Sequence, residues 1–200
     1  MKIGIFGGTF SPPHIGHIRA ADTFICELGL DKLIIIPTAL PHSKDLNGVA
    51  DAGARLKMCR LAFENEKCEI SDIEIKRGGK SYTADTLEEM KKQYPDDEFF
   101  ILFGTDMFLI LGKWVRAEEI FDSCTVVCAC RENDAEVNGQ ILEKSQEYRE
   151  QFGAKIRLLT LEPTEISSSV IREKISHDED IYGLVTPLVE SYIKTEGLYK

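Results

Sequence analysis

The sequence contains no long apolar run. No stretch of its 200 residues approaches the roughly 18 consecutive apolar residues of a membrane-spanning helix. The N-terminal "MKIGIF" reaches Gly7 and Gly8 before it is long enough for the apolar region of a signal peptide. We therefore expect a cytoplasmic protein without a membrane partner.

Positive charge is also scarce. The chain has 24 Lys and Arg against 34 Asp and Glu, which gives a formal net charge of -10. This balance disfavours a nucleic-acid partner, because such proteins usually present a basic face. A small anionic ligand remains compatible with it, provided that local cations and backbone amides hold that ligand against the field of the whole protein.

Cysteine pairs at the spacing of metal or redox sites are missing. None of the six cysteines belongs to a CxxC pair, and they lie within apolar periodic segments. We interpret them as buried free thiols, which behave as small apolar core residues. They are Cys26, Cys59, Cys68, Cys124, Cys128 and Cys130.

Short apolar runs alternate with segments of helical spacing along the chain. The runs predict strands at 2–6, 32–37, 68–75, 98–104, 124–130 and 155–161. Helical spacing is found at 15–28, 56–63 and 86–90. This alternation predicts an α/β fold with a Rossmann-like, doubly wound, mostly parallel sheet and helices on both faces. Because no repeat or linker divides the chain, we expect residues 1–200 to form a single domain.

The turn after the first predicted strand has unusual chemistry. It lies in "GIFGGTFSPPHIGHI", residues 4–18, where two prolines introduce a helix with His14 and His17 in its first turn. Gly7 and Gly8 allow close approach of a ligand to the backbone, and the helix N-terminus favours an anion. Each imidazole can donate an N–H group, and either can carry charge near neutral pH. The alternative is a simple glycine turn.

Better-known fingerprints do not match this segment. It has neither GxxxxGK[ST] nor GxGxxG spacing, and its histidines lack the spacing and the glutamate of HExxH, which disfavours zinc. A second polar helix start is predicted at "ISSSVIR", residues 166–172, where three hydroxyls and free N–H groups point at one spot beside Arg172. Its alternative is a capped surface helix. The aperiodic segment 38–50 is a third candidate, because long loops are often functional.

Both polar segments resemble signatures of the nucleotidyltransferase superfamily. "GGTFSPPHIGH" resembles the (G)xFxPxHxGH signature, and "ISSSVIR" resembles the second, serine-rich signature. Over essentially its full length the chain resembles the bacterial nicotinate-nucleotide adenylyltransferase family. The further segments that carry this resemblance are "RGGKSYTADTL", "FGTDMFLILGKW", Arg131 directly after the fifth strand, and "GLVTPLVESYIKTEGLY".

The resemblance implies transfer of the adenylyl group of ATP to nicotinate mononucleotide, giving nicotinate adenine dinucleotide and pyrophosphate. It implies Mg²⁺ that is carried by ATP, no metal site on the protein itself, and a possible homo-oligomer. The catalytic residues that it implies are His14, His17, Lys44 and Arg172. Those for ATP are Gly7, Gly8, Thr9, Phe10, His14, His17, Gly104, Asp106, Ile166, Ser167, Ser168, Ser169 and Arg172. Those for the nicotinate nucleotide are Gly8, Thr9, Lys44, Tyr82, Thr83, Asp106, Trp114 and Arg131.

Some residues of the acceptor set also have structural interpretations. Thr83 is predicted to cap a helix, with Tyr82 in a pocket wall. Trp114, the only tryptophan, either stacks on a pyridine ring or packs in the core. Asp106 either holds sugar hydroxyls or caps the next helix. Backbone amides at two predicted helix starts, 83–84 and 114–115, would select a carboxylate over an amide.

The chain departs from the family pattern at two positions. Ser11 stands where the family usually has Asp, and we expect it to cap the helix that follows. "LPHSK" replaces a compact "PPHK", which shifts Lys44 by one residue. Two rival functions are a pantetheine-phosphate adenylyltransferase, which typically has Thr in place of His14, and a non-catalytic nucleotide-binding protein of the same fold.

Overall fold

The apolar runs of the sequence form one six-stranded sheet with the strand order β3-β2-β1-β4-β5-β6. The computed structural model describes residues 1–40, 48–131, 135–162 and 166–200. The pairs β1–β4, β4–β5 and β5–β6 are parallel. The strands are β1 Lys2–Gly8, β2 Lys32–Pro37, β3 Cys68–Ile70, β4 Glu98–Gly104, β5 Thr125–Arg131 and β6 Ile156–Leu161.

Helices connect these strands, and their ends follow local rules. Gly29, at a φ of 59°, follows the first helix, and Asp51 caps the second by accepting from the N–H of Ala54. The first five helices are α1 Ile15–Leu28, α2 Ala52–Ala62, α3 Ile73–Arg77, α4 Thr83–Gln93 and α5 Thr105–Ile110. The others are α6 Ala117–Ser123, α7 Ala135–Phe152, α8 Ser168–Ser176 and α9 Pro187–Glu196, with a 3₁₀ turn at Leu111–Lys113.

The strand predicted at 68–75 is wrong in its second half. β3 ends at Ile70, and α3 begins at Ile73. The N–H of Ser71 still donates to the carbonyl oxygen of Ile35 (2.9 Å), whereas the Ser71 hydroxyl accepts from the N–H of Ile73. The polar Ser71-Asp72 pair therefore ends the strand and begins a helix, which an apolar pattern of Ile70, Ile73 and Ile75 does not reveal.

Consecutive burial along β4 shows that both faces of the sheet are covered. The five residues 99–103 are all buried, although successive side chains of a strand point to opposite faces. Such strands are typical of parallel sheets with helices on both sides. The predicted α/β class and doubly wound sheet are therefore confirmed.

The chain divides into two compact units, each made of separate segments. Unit 1 contains Met1–Phe6, Thr23–Ile34 and Tyr82–Pro163, and unit 2 contains Gly7–Asp22, Ile35–Ser81 and Thr164–Lys200. Within unit 1, Phe121 stacks on Phe152 with 4.8 Å between ring centroids. Within unit 2, the buried rings of Phe10 and Phe63 lie edge to face at 5.8 Å. That residues 1–200 act as a single domain remains a prediction.

The cysteines are free, as predicted, but not all of them are buried. Cys59, Cys124, Cys128 and Cys130 are buried, Cys68 is half-buried and Cys26 is exposed. Burial raises the pKa of the Cys124 thiol to about 12. No helix within the described ranges has the length and apolar character needed to cross a membrane.

A glycine in β1 tests how tightly the interior of unit 1 is packed. A Cβ on Gly4 would lie 2.5 Å from Cδ1 of Leu30 and 2.8 Å from Cδ1 of Leu33, both fully buried. Gly4→Ala should therefore lower the free energy of unfolding by about 1–3 kcal/mol, as overpacking does. The control is Gly139→Ala on the exposed side of α7, where a Cβ meets nothing within 4 Å and helix propensity should add about 0.5–1 kcal/mol. Urea unfolding measures both, and equal effects would contradict the packing argument.

Candidate active site

The β1–α1 loop, residues 9–14, is held in place through its carbonyl oxygens. Arg55 Nη1 donates to the carbonyl of Thr9 (2.9 Å), and Arg172 Nη1 donates to that of Ser11 (2.9 Å). The Ser168 hydroxyl donates to the carbonyl of Pro12 (2.8 Å). These acceptors are thereby turned toward protein donors. Such a loop suits an anion, because carbonyl oxygens facing the ligand would repel it.

Phe10 gives the loop its shape. Its backbone is left-handed, with a φ of 48°, and its ring is buried against the imidazole of His17, with 5.0 Å between centroids. A Cβ on Gly8 would lie 2.9 Å from this ring, whereas a Cβ on Gly7 would meet no atom closer than a carbonyl at 4.0 Å. The packing of Phe10 therefore requires a glycine at position 8. From the sequence, Gly8 is explained only by the close approach of a ligand.

Ser11 does not cap α1, so that expectation is wrong. The helix begins at Ile15, and the buried Ser11 hydroxyl accepts from the N–H of Ala50 (3.0 Å). Its second hydrogen bond is shared with the hydroxyl of Tyr199 (2.9 Å), whose pKa burial raises to about 12. Because Pro12 and Pro13 separate it from the helix, Ser11 joins the loop to more distant parts of unit 2 instead.

The two histidines are fixed against each other. His14 directly precedes α1, His17 lies in its first turn, and their ring centroids are 3.7 Å apart. The backbone N–H of His14 donates to Nδ1 of His17 (3.2 Å). Since Nδ1 accepts, the ring proton of His17 must be on Nε2. The fold thus selects the tautomer in which His17 presents an Nε2–H donor.

His14 is neutral in this arrangement, which corrects the expectation that either imidazole is charged near neutral pH. Only 7% of the residue is exposed, and Nδ1 has no hydrogen-bond partner among the described residues. Burial lowers its pKa from 6.5 to about 4. No group of three or more metal-binding side chains occurs in the described part of the chain.

The serine-rich segment forms the start of α8, but its hydroxyls do not converge. Ser167 caps the helix by accepting from the N–H of Val170 (3.2 Å). Ser168 is bonded to the loop, and Ser169 accepts from Arg172 Nη2 (3.4 Å). The expectation that all three point at one spot is therefore wrong. Through Ser168 and Arg172, the segment holds the β1–α1 loop in place.

In unit 1 the first turn of α4 differs from its prediction. Thr83 is the first helical residue rather than the cap, and the cap residue Tyr82 makes no side-chain capping bond. The first helical bond of the turn runs from the N–H of Thr86 to the carbonyl of Tyr82 (3.2 Å). The N–H groups of Thr83 and Ala84 precede it, and so have no acceptor within the helix.

Trp114 ends the 3₁₀ turn and does not begin a helix. Its N–H donates to the carbonyl of Leu111 (3.0 Å), and α6 starts only at Ala117. The prediction that its amide binds a carboxylate is therefore wrong, because that donor is already used. The indole is half-buried and packs edge-on against Phe103 with 5.4 Å between centroids. Trp114 thus keeps part of its surface exposed.

Asp106 lies in the first turn of α5, directly after β4. Gly104 is the N-cap residue, without a side-chain bond, and the Asp106 side chain is exposed. The alternative in which Asp106 caps the helix is therefore excluded. A Cβ on Gly104 would meet nothing within 4 Å, so packing does not require a glycine at this position.

Other predicted residues are only partly described. Lys44 and residues 41–47 of the predicted loop lie outside the described residues. Arg131 is the last residue of β5, where its backbone pairs with Leu161, rather than the residue after the strand. Ile166 is half-buried and precedes the Ser167 cap.

Sequence reasoning missed Arg55. It is 2% exposed, and each of its three guanidinium nitrogens donates to a different carbonyl: Nε to Ala50 (3.0 Å), Nη1 to Thr9 and Nη2 to Ala39 (3.0 Å). Burial lowers its pKa. The available signal was its spacing of three and four residues from Met58 and Cys59, which places an arginine on the buried face of α2.

The predicted residues thus fall into two groups. Unit 2 brings together the residues expected to bind the phosphates: Gly7, Gly8, Thr9, Phe10, His14, His17, Ser167, Ser168, Ser169 and Arg172. Unit 1 contains Tyr82, Thr83, Gly104, Asp106, Trp114 and Arg131.

Known proteins resemble this chain in sequence and in fold. A family profile described as cytidylyltransferase-like matches residues 5–174. A probable nicotinate-nucleotide adenylyltransferase of Lachnoclostridium phytofermentans is 36% identical over 99% of this chain and 98% of that protein. One of Fusobacterium nucleatum is 38% identical over 98% of each. A solved Plasmodium falciparum nicotinic acid mononucleotide adenylyltransferase, complexed with NaAD, has the same fold, with a TM-score of 0.79 at 21% identity over 99% of this chain and 97% of that one.

The burial of His14 predicts a specific pH dependence of stability. Between pH 6.5 and about 4 the unfolded chain binds a proton on His14 that the folded protein does not bind. Neutral His14 therefore contributes to the free energy of unfolding above pH 6.5. This contribution is lost as the pH falls, which lowers the free energy of unfolding by up to about 3 kcal/mol. The free energy of unfolding, measured with urea across this pH range, should fall more steeply with decreasing pH for the wild type than for His14→Gln. His177→Gln, at an exposed histidine, is the control, and parallel curves for wild type and His14→Gln would contradict the assignment.

Proposed function

Because the chain belongs to the nicotinate-nucleotide adenylyltransferase family, we propose that it transfers the adenylyl group of ATP to nicotinate mononucleotide. The products are nicotinate adenine dinucleotide and pyrophosphate. The observation that carries the proposal is the hydrogen bond from the His14 backbone to Nδ1 of His17, because it places the ring proton of His17 on Nε2, the atom that we propose donates to phosphate.

The reaction needs no general base. The phosphate of the acceptor has a second pKa of about 6, so it is mostly dianionic near pH 7. Its oxygen forms a bond to the α-phosphorus of ATP while the bond from that phosphorus to the pyrophosphate oxygen breaks. Negative charge shifts to the leaving pyrophosphate, so catalysis depends on in-line positioning and on donors aimed at that charge.

Unit 2 supplies donors of this kind. His17 donates through Nε2–H, and His14, whose pKa burial lowers to about 4, offers a second imidazole that is neutral at pH 7. The N-terminus of α1 adds the positive end of a helix dipole. Arg172, fixed to the carbonyl of Ser11, adds a permanent positive charge beside the loop.

Mg²⁺ belongs to the ATP in this proposal. The loop, residues 9–14, provides N–H and O–H donors for phosphate oxygens and contains no carboxylate, the side chain through which proteins usually bind Mg²⁺. Within the described residues no cluster of three or more histidine, cysteine or carboxylate side chains forms a metal site. We therefore assign the ion to the triphosphate and assign the residues of the chain to binding and positioning.

Unit 1 supplies groups that suit the acceptor. The exposed carboxylate of Asp106 can accept from ribose hydroxyls, and the Trp114 ring can stack on the pyridine. The first amides of α4, at Thr83 and Ala84, can bind the nicotinate carboxylate. Roles for Lys44, Tyr82 and Arg131, a cytoplasmic location and a homo-oligomer remain predictions from the sequence.

The acceptor distinguishes this function from its rivals. Pyrophosphate release is measured with ATP and, at matched concentrations, nicotinate mononucleotide, nicotinamide mononucleotide or phosphopantetheine. The carboxamide would turn an NH₂ toward the α4 amides, and one unsatisfied N–H costs about 1–3 kcal/mol. Because the Trp114 amide is already used, we expect a preference of about ten- to a hundredfold in kcat/KM for nicotinate mononucleotide, less than two amides would give.

The same assay contains the outcomes that reject the proposal. Faster release with phosphopantetheine would identify the chain as a pantetheine-phosphate adenylyltransferase. No release with any acceptor from folded protein that binds ATP would identify a non-catalytic nucleotide-binding protein. Comparable values for the acid and the amide would contradict selection by the α4 amides.

His17 is expected to contribute mainly to kcat. Its Nε2–H donates as charge develops during transfer, so His17→Ala should lower kcat by a factor of about 10² to 10³. Steady-state kinetics and circular dichroism check this, with His177→Ala as the control at an exposed histidine. A folded His17→Ala enzyme with wild-type kcat would remove His17 from the mechanism.

A further inference from the structure

The turn that carries Trp114 is anchored to α7 by a single buried hydroxyl. Tyr148 is 2% exposed, and its hydroxyl proton is shared between the carbonyls of Phe108 (3.0 Å) and Leu109 (3.2 Å). The same oxygen accepts from the N–H of Gly112 (3.1 Å). These three groups belong to the end of α5 and to the 3₁₀ turn, so one hydroxyl connects both parts.

The geometry around Tyr148 leaves little freedom. Its ring packs against Phe121 with 4.9 Å between centroids and against Phe108 with 5.5 Å. A Cβ on Gly112 would lie 2.7 Å from Cε1 of Tyr148, so the turn approaches the ring too closely for any residue except glycine. The backbone leading into Trp114 is therefore fixed by hydrogen bonds and by close packing.

A second anchor lies on the other side of Trp114. Arg116 has a left-handed backbone, with a φ of 59°, which is unusual for a residue other than glycine. Its Nη1 lies 2.7 Å from a carboxylate oxygen of Asp85 in the first turn of α4. Its Nη2 lies 3.1 Å from Glu88 and 2.6 Å from Glu119. Arg116 thus ties the segment after Trp114 to the helix whose first amides are assigned to the nicotinate carboxylate.

We propose that Tyr148 and Arg116 are positioning residues that set the Trp114 ring relative to the first turn of α4, and so determine affinity for the pyridine nucleotide. The inference rests on the proposed function in that it takes Trp114 and Thr83 as acceptor-binding groups. Neither anchor is among the residues assigned to substrate binding. Both act within unit 1, whereas the residues expected to bind the phosphates of ATP belong to unit 2, so we expect the two anchors to affect the acceptor more than ATP.

Kinetics of paired variants test the two anchors. Tyr148→Phe keeps the ring and removes the hydroxyl, and Arg116→Gln removes the charge from the surface cluster. Each should raise KM for nicotinate mononucleotide by about 3- to 30-fold, below the roughly 10²-fold that a 1 Å misplacement can cost, while KM for ATP stays within about twofold. Tyr94→Phe and Lys76→Gln are the controls, since they remove a hydroxyl at another place in unit 1 and the exposed ion pair of Lys76 with Asp72 in unit 2.

Fluorescence gives a readout that does not depend on turnover, because Trp114 is the only tryptophan. In both anchor variants, and in neither control, we expect a shifted emission maximum, greater quenching by acrylamide and a weaker response to added nicotinate mononucleotide. If Tyr148→Phe does not fold, Arg116→Gln at the surface still decides the question. Wild-type emission and wild-type acceptor KM in both folded variants would overturn the inference.

Different results would reject the proposed function and the positioning role of the two anchors. A wild-type enzyme that releases no pyrophosphate with nicotinate mononucleotide would reject the proposed function, yet Trp114 emission would still report whether the anchors position the ring. An active wild type whose anchor variants raise both KM values equally would keep the function and reject acceptor-specific positioning.

Discussion

The buried guanidinium of Arg55 is the constraint on which the β1–α1 loop and the rest of unit 2 depend. A charge that is taken out of water must be hydrogen-bonded, and Arg55 meets this need with backbone carbonyls of Thr9, Ala39 and Ala50. Three segments distant in sequence are thereby drawn to one point. The chain after β1, the chain after β2 and the approach to α2 must adopt conformations that present their carbonyls to it.

The chemistry of the β1–α1 loop follows from this arrangement. Its carbonyls are occupied by Arg55, Arg172 and Ser168, and its left-handed residue buries Phe10 against His17. The hydrogen bond from the His14 N–H then decides which nitrogen of His17 carries the proton. The donor that we propose for phosphate is thus specified by a backbone hydrogen bond.

In unit 1 the segment that carries Trp114 is held in place by two anchors. Its aromatic candidate, Trp114, lies between a buried hydroxyl, Tyr148, and an exposed arginine, Arg116. The first anchor works by desolvated hydrogen bonds, and the second works by charge at the surface. In our proposal, the position of this binding segment is set by neighbours that do not themselves bind the ligand.

The sequence by itself determined the positions of the strands and of several helices, and it identified the motif of the β1–α1 loop. Apolar runs located all six strands, helical spacing located α1, α2 and α4, and the motif around His14 and His17 indicated the family, because periodicity and short motifs are local properties. The end of β3, the role of Ser11, the use of the Trp114 amide and the importance of Arg55 were decided only by tertiary structure. The partners of Ser11 are Ala50, Arg172 and Tyr199, which are 39, 161 and 188 residues away along the chain. No local pattern encodes such contacts, since the folded chain alone decides which distant donor reaches which acceptor.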